Sequence, residues 1–439
     1  MQAKDILNEV SKRDIRFVRF WFTDSLGQLK GFTITSRELE RALNEGMGFD
    51  GSSIEGFARI YESDLVAFPD KDTFQVLPWT GDGQCTARMF CDIITPDGSP
   101  YPGDPRYVLK RNLEKAHALG YEYMVGPELE YFYFKDDTSC ELLDEGGYFD
   151  LLPLDVGHNL RQRTVSALEA MNIQVEYSHH EVSPSQHEID LKYCDALKMA
   201  DNVMTYRVVV KQIARGDGLY ATFMPKPIYG VNGSGMHVHQ SLFDGKRNVF
   251  FDQKDKYNLS DTGKHFVAGL LAHVKEFTAV TNQWVNSYKR LVTGYEAPVY
   301  ICWGQMNRSA LVRVPRYKPG KEDSTRIELR NPDPACNPYL AFSVMLASGL
   351  KGIQEKLPLC QPTERDVYGM NVKEKESAGV DELPGSLIEA IQYAQKSSIV
   401  REALGDYVFS KFIENKNIEW ENYRIRVSDY ELKTYLPLL

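Results

Sequence analysis

The sequence lacks the marks of a secreted or membrane-spanning protein. No apolar run approaches the ~18 residues that a bilayer-spanning helix needs. The first residues, MQAKDILNEVSKRD, carry charge throughout and contain no apolar stretch, so they do not indicate a signal peptide. The 7 cysteines are odd in number and form no C-x-x-C pair, which argues against a disulfide framework. We therefore expect a cytoplasmic protein with free thiols and no membrane partner.

Basic residues are also few relative to acidic ones. The chain has 51 lysines and arginines against 61 aspartates and glutamates, which gives a formal net charge of -10. Because binding to nucleic-acid phosphates needs a basic face, this deficit argues against nucleic acid as a main partner. A small anionic substrate held in a local basic pocket remains compatible with it.

Length and composition favour two domains. A chain of 439 residues is too long for one ordinary hydrophobic core. The segment Thr95–Asp104 (TPDGSPYPGD) holds three prolines and two glycines, which makes it the best linker candidate. We predict an N-terminal domain over residues 1–104. Strands and long helices alternate afterwards, which predicts an α/β catalytic domain over 105–439.

Local patterns predict individual elements. Strands are predicted over Ile15–Phe22 and Gln28–Thr33, with a turn between them. Ser36 is predicted to cap a following helix, and residues 50–56 (DGSSIEG) to form a polar, glycine-rich loop. After the linker a helix is predicted over Arg106–Gly120, and the clearest helices are predicted over Arg161–Met171, Ala196–Ala214 and Gly263–Asn282.

The segment GPELEYF places two carboxylates on one face of a strand. Side chains alternate along a strand, so Glu128 and Glu130 project to the same side. Two like charges on one face repel each other unless a cation lies between them. A solvated outer face would explain the pair equally well, but the aromatic run Tyr131–Phe134 suggests a buried strand and favours the cation.

A second acidic pair lies in EYSHHEVSPSQHE. The spacing of Glu181 and Glu188 is odd, so a straight strand would place them on opposite faces. The sequence Ser183-Pro184-Ser185 supplies a bend that could bring both to one site. Histidine precedes glutamate twice, but neither copy is H-E-x-x-H, which argues against a zinc protease.

The third segment is VNGSGMHVHQS. His237 and His239 share a strand face, and the glycines Gly233 and Gly235 permit close backbone approach to a ligand. The segment is neither a Walker A loop nor G-x-G-x-x-G. Taken alone, such a histidine pair is more often structural than functional.

The fourth segment is RIELR. Alternation places Arg326, Glu328 and Arg330 in a row on one face, a pattern that would also fit a surface salt-bridge ladder. In an acidic protein, a high local density of arginine indicates carboxylate or phosphate recognition. The arginines near this segment are Arg290, Arg308, Arg313 and Arg316.

Together these segments predict a metal-dependent phosphoryl-transfer site. Five glutamates with one histidine form an oxygen-rich donor set, which suits Mg²⁺ or Mn²⁺ better than Zn²⁺. Phosphoryl transfer depends chiefly on positioning and charge neutralisation, which metals and arginines supply. The donor set is Glu128, Glu130, Glu181, Glu188, Glu328 and one histidine.

Several motifs in order along the chain resemble type I glutamine synthetases of bacteria and archaea. They are FDGSSIEGF, GPELEYF, HHEVSPSQHEID, PKPIYGVNGSGMHVHQS, YEAPV, NRSALVRVP and RIELRNPDPACNPYL. The resemblance implies an α+β fold, with a small N-terminal β-grasp domain and a large α/β catalytic domain built on a curved antiparallel sheet. It also implies a dodecamer of two hexameric rings, with each active site between neighbouring subunits.

The resemblance also implies roles for individual residues. One of two or more Mg²⁺ or Mn²⁺ ions per subunit is expected on Glu130, Glu181 and Glu188, and another on Glu128, His237 and Glu328. Glutamate is expected on Arg290, Arg330, Asn232 and Gly233. Phosphate contacts are expected from Arg308, Arg313 and Arg326, and ATP contacts from Glu176, Tyr193, His239 and Ser241. The ammonium site is expected on Asp50, Ser53 and Tyr148, with Glu296 in a flap over it.

Three positions concern mobility and regulation. Thr293 stands where the shorter class of the family usually has proline, which predicts altered flap mobility. Tyr368 lies near the position that is adenylylated in the other class, but the surrounding sequence differs, which predicts no such modification here. Arg59 matches an arginine linked to feedback by glutamine.

The predicted reaction is the ATP-dependent ligation of ammonia to L-glutamate, through a γ-glutamyl phosphate. One alternative is a γ-glutamyl-amine ligase of the same fold, but an intact ammonium site with Asp50, Ser53 and Tyr148 favours a small cation. Another is a catalytically inactive structural or regulatory homologue. The presence of all six predicted metal ligands argues against that alternative.

Overall fold

The computed structural model describes residues 1–54, 56, 64–79, 85–316 and 318–439. Within this part of the chain, the strands form two sheets, and the buried apolar side chains form two clusters. None of the described helices is long and apolar enough to cross a bilayer. The seven cysteines are free thiols.

The smaller sheet belongs to the N-terminal region. Its strands lie in the order β2-β1-β6-β4-β3, with β5 also paired to β6, and β1 runs parallel to β6 at the centre. Two short helices pack on it, which gives a β-grasp arrangement. The elements are α1 (Ala3–Lys12), β1 (Ile15–Thr23), β2 (Leu29–Thr35), α2 (Leu39–Glu45), β3 (Met47–Asp50), β4 (Asp64–Pro69), β5 (Gln75–Val76) and β6 (Cys85–Ile94).

The larger region contains the remaining elements. In its first half they are α3 (Pro105–Ala118), β7 (Glu122–Phe134), α4 (His158–Ala170), β8 (Val175–His180), β9 (Gln186–Leu191), β10 (Cys194–Asp195), α5 (Ala196–Gly216), β11 (Tyr220–Thr222), β12 (Met236–Asp244) and β13 (Arg247–Asn248). In its second half they are α6 (Asp261–Thr281), α7 (Ser287–Arg290), β14 (Tyr300–Gly304), β15 (Ala310–Arg313), β16 (Ile327–Leu329), α8 (Pro338–Glu355), α9 (Val372–Ser377), β17 (Asp381–Glu382), α10 (Leu387–Lys396), α11 (Ser398–Leu404), α12 (Asp406–Arg424) and α13 (Asp429–Tyr435).

The larger sheet is curved and mainly antiparallel, as predicted. Its strands lie in the order β17-β14-β15-β16-β12-β7-β9-β8. Strands β14 and β15 are parallel, whereas the other described pairs of this sheet are antiparallel. Helices α3, α5, α6 and α8 contribute to the apolar core beside the sheet.

Polar caps fix where several predicted helices begin. The side chain of Asp195 accepts hydrogen bonds from Leu197 N (3.0 Å) and Lys198 N (3.3 Å), so α5 starts at the predicted residue. The prediction that Ser36 caps a helix is wrong. Ser36 begins a 3₁₀ turn, Ser36–Glu38, and its carbonyl accepts from the backbone N–H of Leu39, where α2 starts.

The proposed linker folds back on itself instead of running as an open connection. Thr95 N donates to Ser99 O (2.8 Å), and Tyr101 N donates to Ile93 O (2.9 Å). The side chain of Asp104 then caps α3 through Arg106 N (2.9 Å). The domain boundary after residue 104 stays a prediction.

A buried arginine ties the N-terminal sheet to the catalytic region. The Arg106 side chain is 4% exposed and contacts Asp70 (2.7 Å), Asp92 (2.5 Å) and Asp201 (3.0 Å). Asp70 directly follows β4 and Asp92 lies in β6, whereas Asp201 lies in α5. The N-terminal sheet is therefore held against helix α5 by charge-assisted hydrogen bonds.

Candidate active site

Alternation along β7 separates a core face from a polar face. Leu129, Tyr131 and Tyr133 are fully buried in the apolar core. Glu128 and Glu130 project from the opposite face, as the sequence pattern predicts. The strand is therefore buried on one side and carries carboxylates into a cleft on the other.

The register of β9 brings further carboxylates beside the first two. Glu128 lies opposite Asp190, and Glu130 lies opposite Glu188. Directly opposed like charges destabilise a strand pair unless a cation or a proton compensates them. Burial, followed by the charge of Glu128, raises the pKa of Asp190 to about 8. A proton or a cation next to Asp190 would offset the opposed charges.

One cluster consists of Glu128, His237 and Glu328. Their potential ligand atoms lie within 4.8 Å of one another. His237 Nδ1 is 3.3 Å from Glu128 Oε2 and 3.6 Å from Glu328 Oε1. Burial alone would raise the pKa of Glu128, but His239 and His237 outweigh it and hold that pKa well below its usual range. The carboxylate is therefore ionised and ready to bind a cation.

A second cluster consists of His179, Glu181 and Glu188. Their ligand atoms also lie within 4.8 Å of one another, and His179 Nε2 is 3.2 Å from Glu188 Oε2. Burial, followed by the charge of Glu130, raises the pKa of Glu181 to about 7. Burial also raises the pKa of Glu188 and lowers that of His179. Burial thus favours the neutral form of both His179 and Glu188, which are in contact.

Glu130 sits beside this second cluster but has partners of its own. Its Oε2 accepts hydrogen bonds from Gln186 Nε2 (2.9 Å) and from the backbone N–H of Gly235 (2.9 Å). Cross-strand pairing still places it next to Glu188. His179 therefore joins the two predicted ligands Glu181 and Glu188, with Glu130 at their side.

The β8–β9 turn unites Glu181 and Glu188, as the predicted bend requires. Glu181 N donates to Gln186 O (2.7 Å), so the two strands form a hairpin. Behind the turn, His180 Nε2 is 2.9 Å from Asp144 Oδ1, and Asp144 Oδ1 accepts from Ser185 N (2.9 Å). This polar support fixes the backbone next to both carboxylates.

The glycines of the third motif are required by the protein itself. A Cβ on Gly233 would lie 2.2 Å from the carbonyl oxygen of Pro225, and one on Gly235 would lie 2.5 Å from a guanidinium nitrogen of Arg290. These glycines therefore allow close packing against other parts of the protein, whereas the sequence pattern suggested that they allow close backbone approach to a ligand. The packing fixes Arg290, which is buried and donates to Asn331 O (2.7 Å).

One cleft gathers most of the predicted residues. Its volume is about 940 Å³. The predicted metal ligands in its lining are Glu128, Glu130, Glu181, Glu188, His237 and Glu328. The other predicted residues in its lining are Tyr148, Asn232, Gly233, Arg290, Glu296, Arg308, Arg313 and Arg330.

A smaller pocket adjoins this cleft. Its volume is about 260 Å³, and Glu128 and Tyr177 line both cavities. The residues predicted to hold the nucleotide in this pocket are Glu176, Tyr193, His239, Ser241 and Arg326. Arg313, predicted to contact phosphate, lies in the cleft, on the side where the two cavities share Glu128.

The side chains of Arg326, Glu328 and Arg330 line the two cavities and do not form a solvent-exposed salt-bridge ladder. Glu328 is 1% exposed and accepts from Arg330 Nε (3.1 Å) and Arg313 Nη1 (3.0 Å). Arg326 Nε donates to His239 Nδ1 (3.1 Å). Arginines thus surround the metal-ligand face and leave guanidinium groups directed at both cavities.

Glu296 lies at the exposed edge of the cleft. Its backbone φ is 53°, a left-handed conformation that is uncommon outside glycine. Its Oε2 accepts from Asn232 Nδ2 (3.3 Å), and Lys226 Nζ lies 3.9 Å from the ring centre of the preceding Tyr295. The predicted flap therefore reaches the predicted glutamate-binding side.

The remaining predicted residues lie elsewhere. Asp50 ends β3, is exposed, and accepts from Ser52 N (2.9 Å) and Ser52 Oγ (3.0 Å). It is not among the described residues that line this chain's cleft. The backbone of Ser53 belongs to the 3₁₀ turn Gly51–Ile54. Arg59 lies outside the described residues.

Sequence reasoning did not assign His179, Asp190 or Tyr368 to the site. His179 and Asp190 share faces with predicted ligands, since each is two positions from Glu181 or Glu188. Period-two spacing could have identified both. Tyr368 lines the cleft from a distant segment, and only the tertiary fold shows that position.

Comparison with known families accounts for nearly the whole chain. Residues 14–96 match the model "Glutamine synthetase, beta-Grasp domain", and residues 102–435 match "Glutamine synthetase, catalytic domain". A glutamine synthetase of Mycolicibacterium smegmatis is 55% identical over 100% of this chain and 99% of the relative. One from Methanosarcina mazei is 50% identical over 99% of this chain and 98% of the relative.

Solved structures give the same fold. A GmaS/ADP complex superposes with a TM-score of 0.90 at 30% identity, and covers 99% of both chains. A glutamine synthetase of Plasmodium falciparum superposes with a TM-score of 0.89 at 26% identity, and also covers 99% of both chains.

Proposed function

This chain belongs to the glutamine synthetase family of glutamate–ammonia ligases, and on that premise we propose that its cleft makes L-glutamine through a γ-glutamyl phosphate. One observation carries the proposal. A cleft lined by carboxylates, histidine and arginines shares Glu128 with an adjoining pocket whose predicted role is nucleotide binding. The phosphates of ATP and the side-chain carboxylate of glutamate can therefore come together where the two cavities join, beside Glu128.

The donor set fits two divalent cations. Glu128, His237 and Glu328 would hold one, and Glu130, Glu181 and Glu188 would hold another beside His179. The raised pKa values of buried carboxylates support this, because crowded negative charges call for a positive partner. Oxygen-rich donors favour Mg²⁺ or Mn²⁺, and bound cations would supply charge neutralisation at the phosphates.

The arginines suit the first half-reaction. Arg290 and Arg330, with Asn232 and Gly233, hold glutamate so that its side-chain carboxylate faces the adjoining pocket. A carboxylate oxygen attacks the γ-phosphorus of ATP, and the bond to the β,γ-bridging oxygen breaks as ADP leaves. The guanidinium groups of Arg308, Arg313 and Arg326 stabilise charge on the transferred phosphoryl oxygens.

The second half-reaction needs a base to deprotonate ammonium and a group that keeps water away from the intermediate. Asp50 takes one proton from ammonium, and the resulting ammonia attacks the acyl carbon. The C–O bond to phosphate then breaks, and the surplus proton on nitrogen leaves with the phosphate. We assign Asp50 and Ser53 to the cleft of a neighbouring copy in a homo-oligomer of two hexameric rings, with Tyr148 completing the ammonium site. The place of Asp50 outside its own chain's cleft lining supports that assignment. Glu296 excludes water from the reactive carbonyl.

The test is ADP release from ATP with glutamate and Mg²⁺, with ammonium, methylamine or putrescine as the third substrate. We expect release and glutamine formation with ammonium, and loss of both when glutamate or metal is omitted. Turnover with methylamine or putrescine but not with ammonium would replace this proposal with a γ-glutamyl-amine ligase. Complete inactivity of a folded, metal-loaded protein would favour a non-catalytic homologue.

A further inference from the structure

A tyrosine from a distant segment holds the loop that carries Glu296. The phenol hydroxyl of Tyr368 donates to the carbonyl oxygen of Ala297 at 2.7 Å. Ala297 directly follows Glu296, and its exposed fraction is 1%. Residues 292–294 and 296 are exposed, whereas 297–300 are buried. The hydrogen bond therefore falls where the exposed loop enters the core.

The bonded position is also the place where the backbone is strained. Glu296 has a φ of 53°, a region in which a non-glycine residue is strained unless its surroundings hold it in place. A hydrogen bond to the next carbonyl fixes the orientation of the peptide group after Glu296. Loss of that bond would let the residue relax toward a right-handed or extended conformation and turn its carboxylate away from the cleft.

The segment around Tyr368 is itself fixed to the loop that carries Arg308. Asn307 Nδ2 donates to Thr363 O (2.8 Å) and Arg365 O (2.7 Å). Val367 N donates to Ser309 Oγ (3.0 Å). The hydroxyl of Tyr368 thus connects a segment anchored beside Arg308, on the phosphate side of the cleft, to the loop that carries Glu296.

We propose that Tyr368 is a positioning residue that latches the Glu296 loop through its hydroxyl, and so determines whether the activated glutamate reacts with ammonia or with water. The inference rests on the proposed function. Attack by ammonia gives glutamine and phosphate. Attack by water breaks the same C–O bond but returns glutamate and phosphate, so ATP is consumed without product.

The neighbouring Tyr300 provides a matched control. Its ring meets that of Tyr368 at a centroid distance of 5.7 Å, and its hydroxyl accepts from Lys375 Nζ (2.6 Å). Tyr300 is 3% exposed and does not belong to the described lining of the cleft. Tyr300→Phe therefore removes a buried hydroxyl from the same aromatic pair without touching the Glu296 loop.

The experiment compares wild type, Tyr368→Phe and Tyr300→Phe in the assembled enzyme. For Tyr368→Phe we expect a rise of about 2- to 10-fold in the phosphate released in excess of glutamine, per glutamine formed, at low ammonium, the range for one net hydrogen bond. The KM for ammonium should rise by a similar factor, with a smaller change in kcat. Tyr300→Phe should match wild type in both quantities.

Amide hydrogen exchange of the peptide 292–298 gives a readout that does not depend on activity. Tyr368→Phe should exchange faster than wild type and Tyr300→Phe. Faster exchange with an unchanged phosphate-to-glutamine ratio would overturn the proposal, since the bond would then be structural only. Equal effects in both variants would also overturn it. A wild-type enzyme that makes no glutamine contradicts the proposed function, and unchanged exchange in Tyr368→Phe then separately refutes the latch.

Discussion

Glu181 offers a quantitative test of the predicted cation sites. Its side chain is 12% exposed, and burial followed by the charge of Glu130 raises its pKa from 4.5 to about 7. In the metal-free protein at pH 6 this carboxyl therefore carries a proton. A cation that binds there must displace that proton, so metal affinity depends on pH.

The expected size follows from the pKa. A group with a pKa of 7 is about 90% protonated at pH 6 and about 10% protonated at pH 8. Proton competition at Glu181 alone thus makes the apparent cation affinity about 10-fold weaker at pH 6, a difference of about 1.4 kcal/mol. Proton release per bound cation should fall by about 0.8 between the two pH values. The raised pKa of Glu188 acts in the same direction.

The same shift predicts how stability varies without metal. The folded state binds more protons than the unfolded chain between pH 4.5 and 7, because folding raises the pKa of Glu181. The stabilising contribution is fully present below that window and is lost as pH rises through it. The metal-free protein should therefore lose about 3 kcal/mol of stability across the window on account of this group.

Calorimetric titration of EDTA-treated enzyme with Mn²⁺ measures both quantities. Each titration is run at pH 6 and pH 8 in two buffers with different ionisation enthalpies, which gives the protons released per cation. Glu181→Gln should bind more weakly at pH 8 and lose most of the pH dependence. Glu169→Gln, an exposed change on α4, should match wild type.

Proton release that is equal at pH 6 and pH 8 would refute this reasoning. It would mean that Glu181 is ionised in the metal-free protein, and hence that the crowding around it is relieved in another way. Pronounced pH dependence that persists unchanged in Glu181→Gln would assign the proton to a different group, such as Glu188.

Three further predictions concern assembly, regulation and stability. Asp50→Ala and Arg330→Ala should each be inactive, but co-expression should restore activity, because random mixing leaves about one ring interface in four without either defect. Mixing of preassembled rings should restore none, and failure of doubly tagged co-assemblies to recover would remove Asp50 from the neighbour's site. Arg59→Ala should retain turnover but show weaker inhibition by glutamine, and unchanged inhibition would exclude it from feedback. Arg106→Met should lower the free energy of unfolding in urea by about 3–5 kcal/mol, because it removes the ion-pair partner of the buried Asp201. A loss of unfolding free energy below 1 kcal/mol would show that Arg106 contributes little to holding the N-terminal sheet against α5.

Helix and strand positions could be predicted well where periodicity and a cap agree. Gly263–Asn282 was predicted and Asp261–Thr281 is observed, because the side chain of Ser260 caps that helix through Gly263 N (3.1 Å). Ser36 failed because a serine before acidic residues suits a 3₁₀ turn as well as a cap. The local sequence does not distinguish a 3₁₀ turn from a cap; only the position at which the following helix starts does.

The candidate site could be predicted in part, since alternation works within one strand. It placed Glu128 beside Glu130, and the structure keeps them on one face. Pairing between strands is set by the hairpin turns and by the core on the opposite face, so the register that brings Asp190 opposite Glu128 was not visible. The position of Tyr368 in the cleft could not be predicted either, because it depends on contacts between segments that are far apart in the sequence.

The register has an energetic consequence for the whole sheet. Glu128–Asp190 and Glu130–Glu188 are opposed across central strands whose other faces build the main core. These strands cannot separate to relieve repulsion without exposing Leu129, Tyr131 and Tyr133, so the charges must be neutralised in place. Because the apolar face of these strands stays buried, the carboxylates on the opposite face must be neutralised by protons or cations. Cation binding and packing of this part of the sheet should therefore stabilise each other, as two events that favour the same strand register.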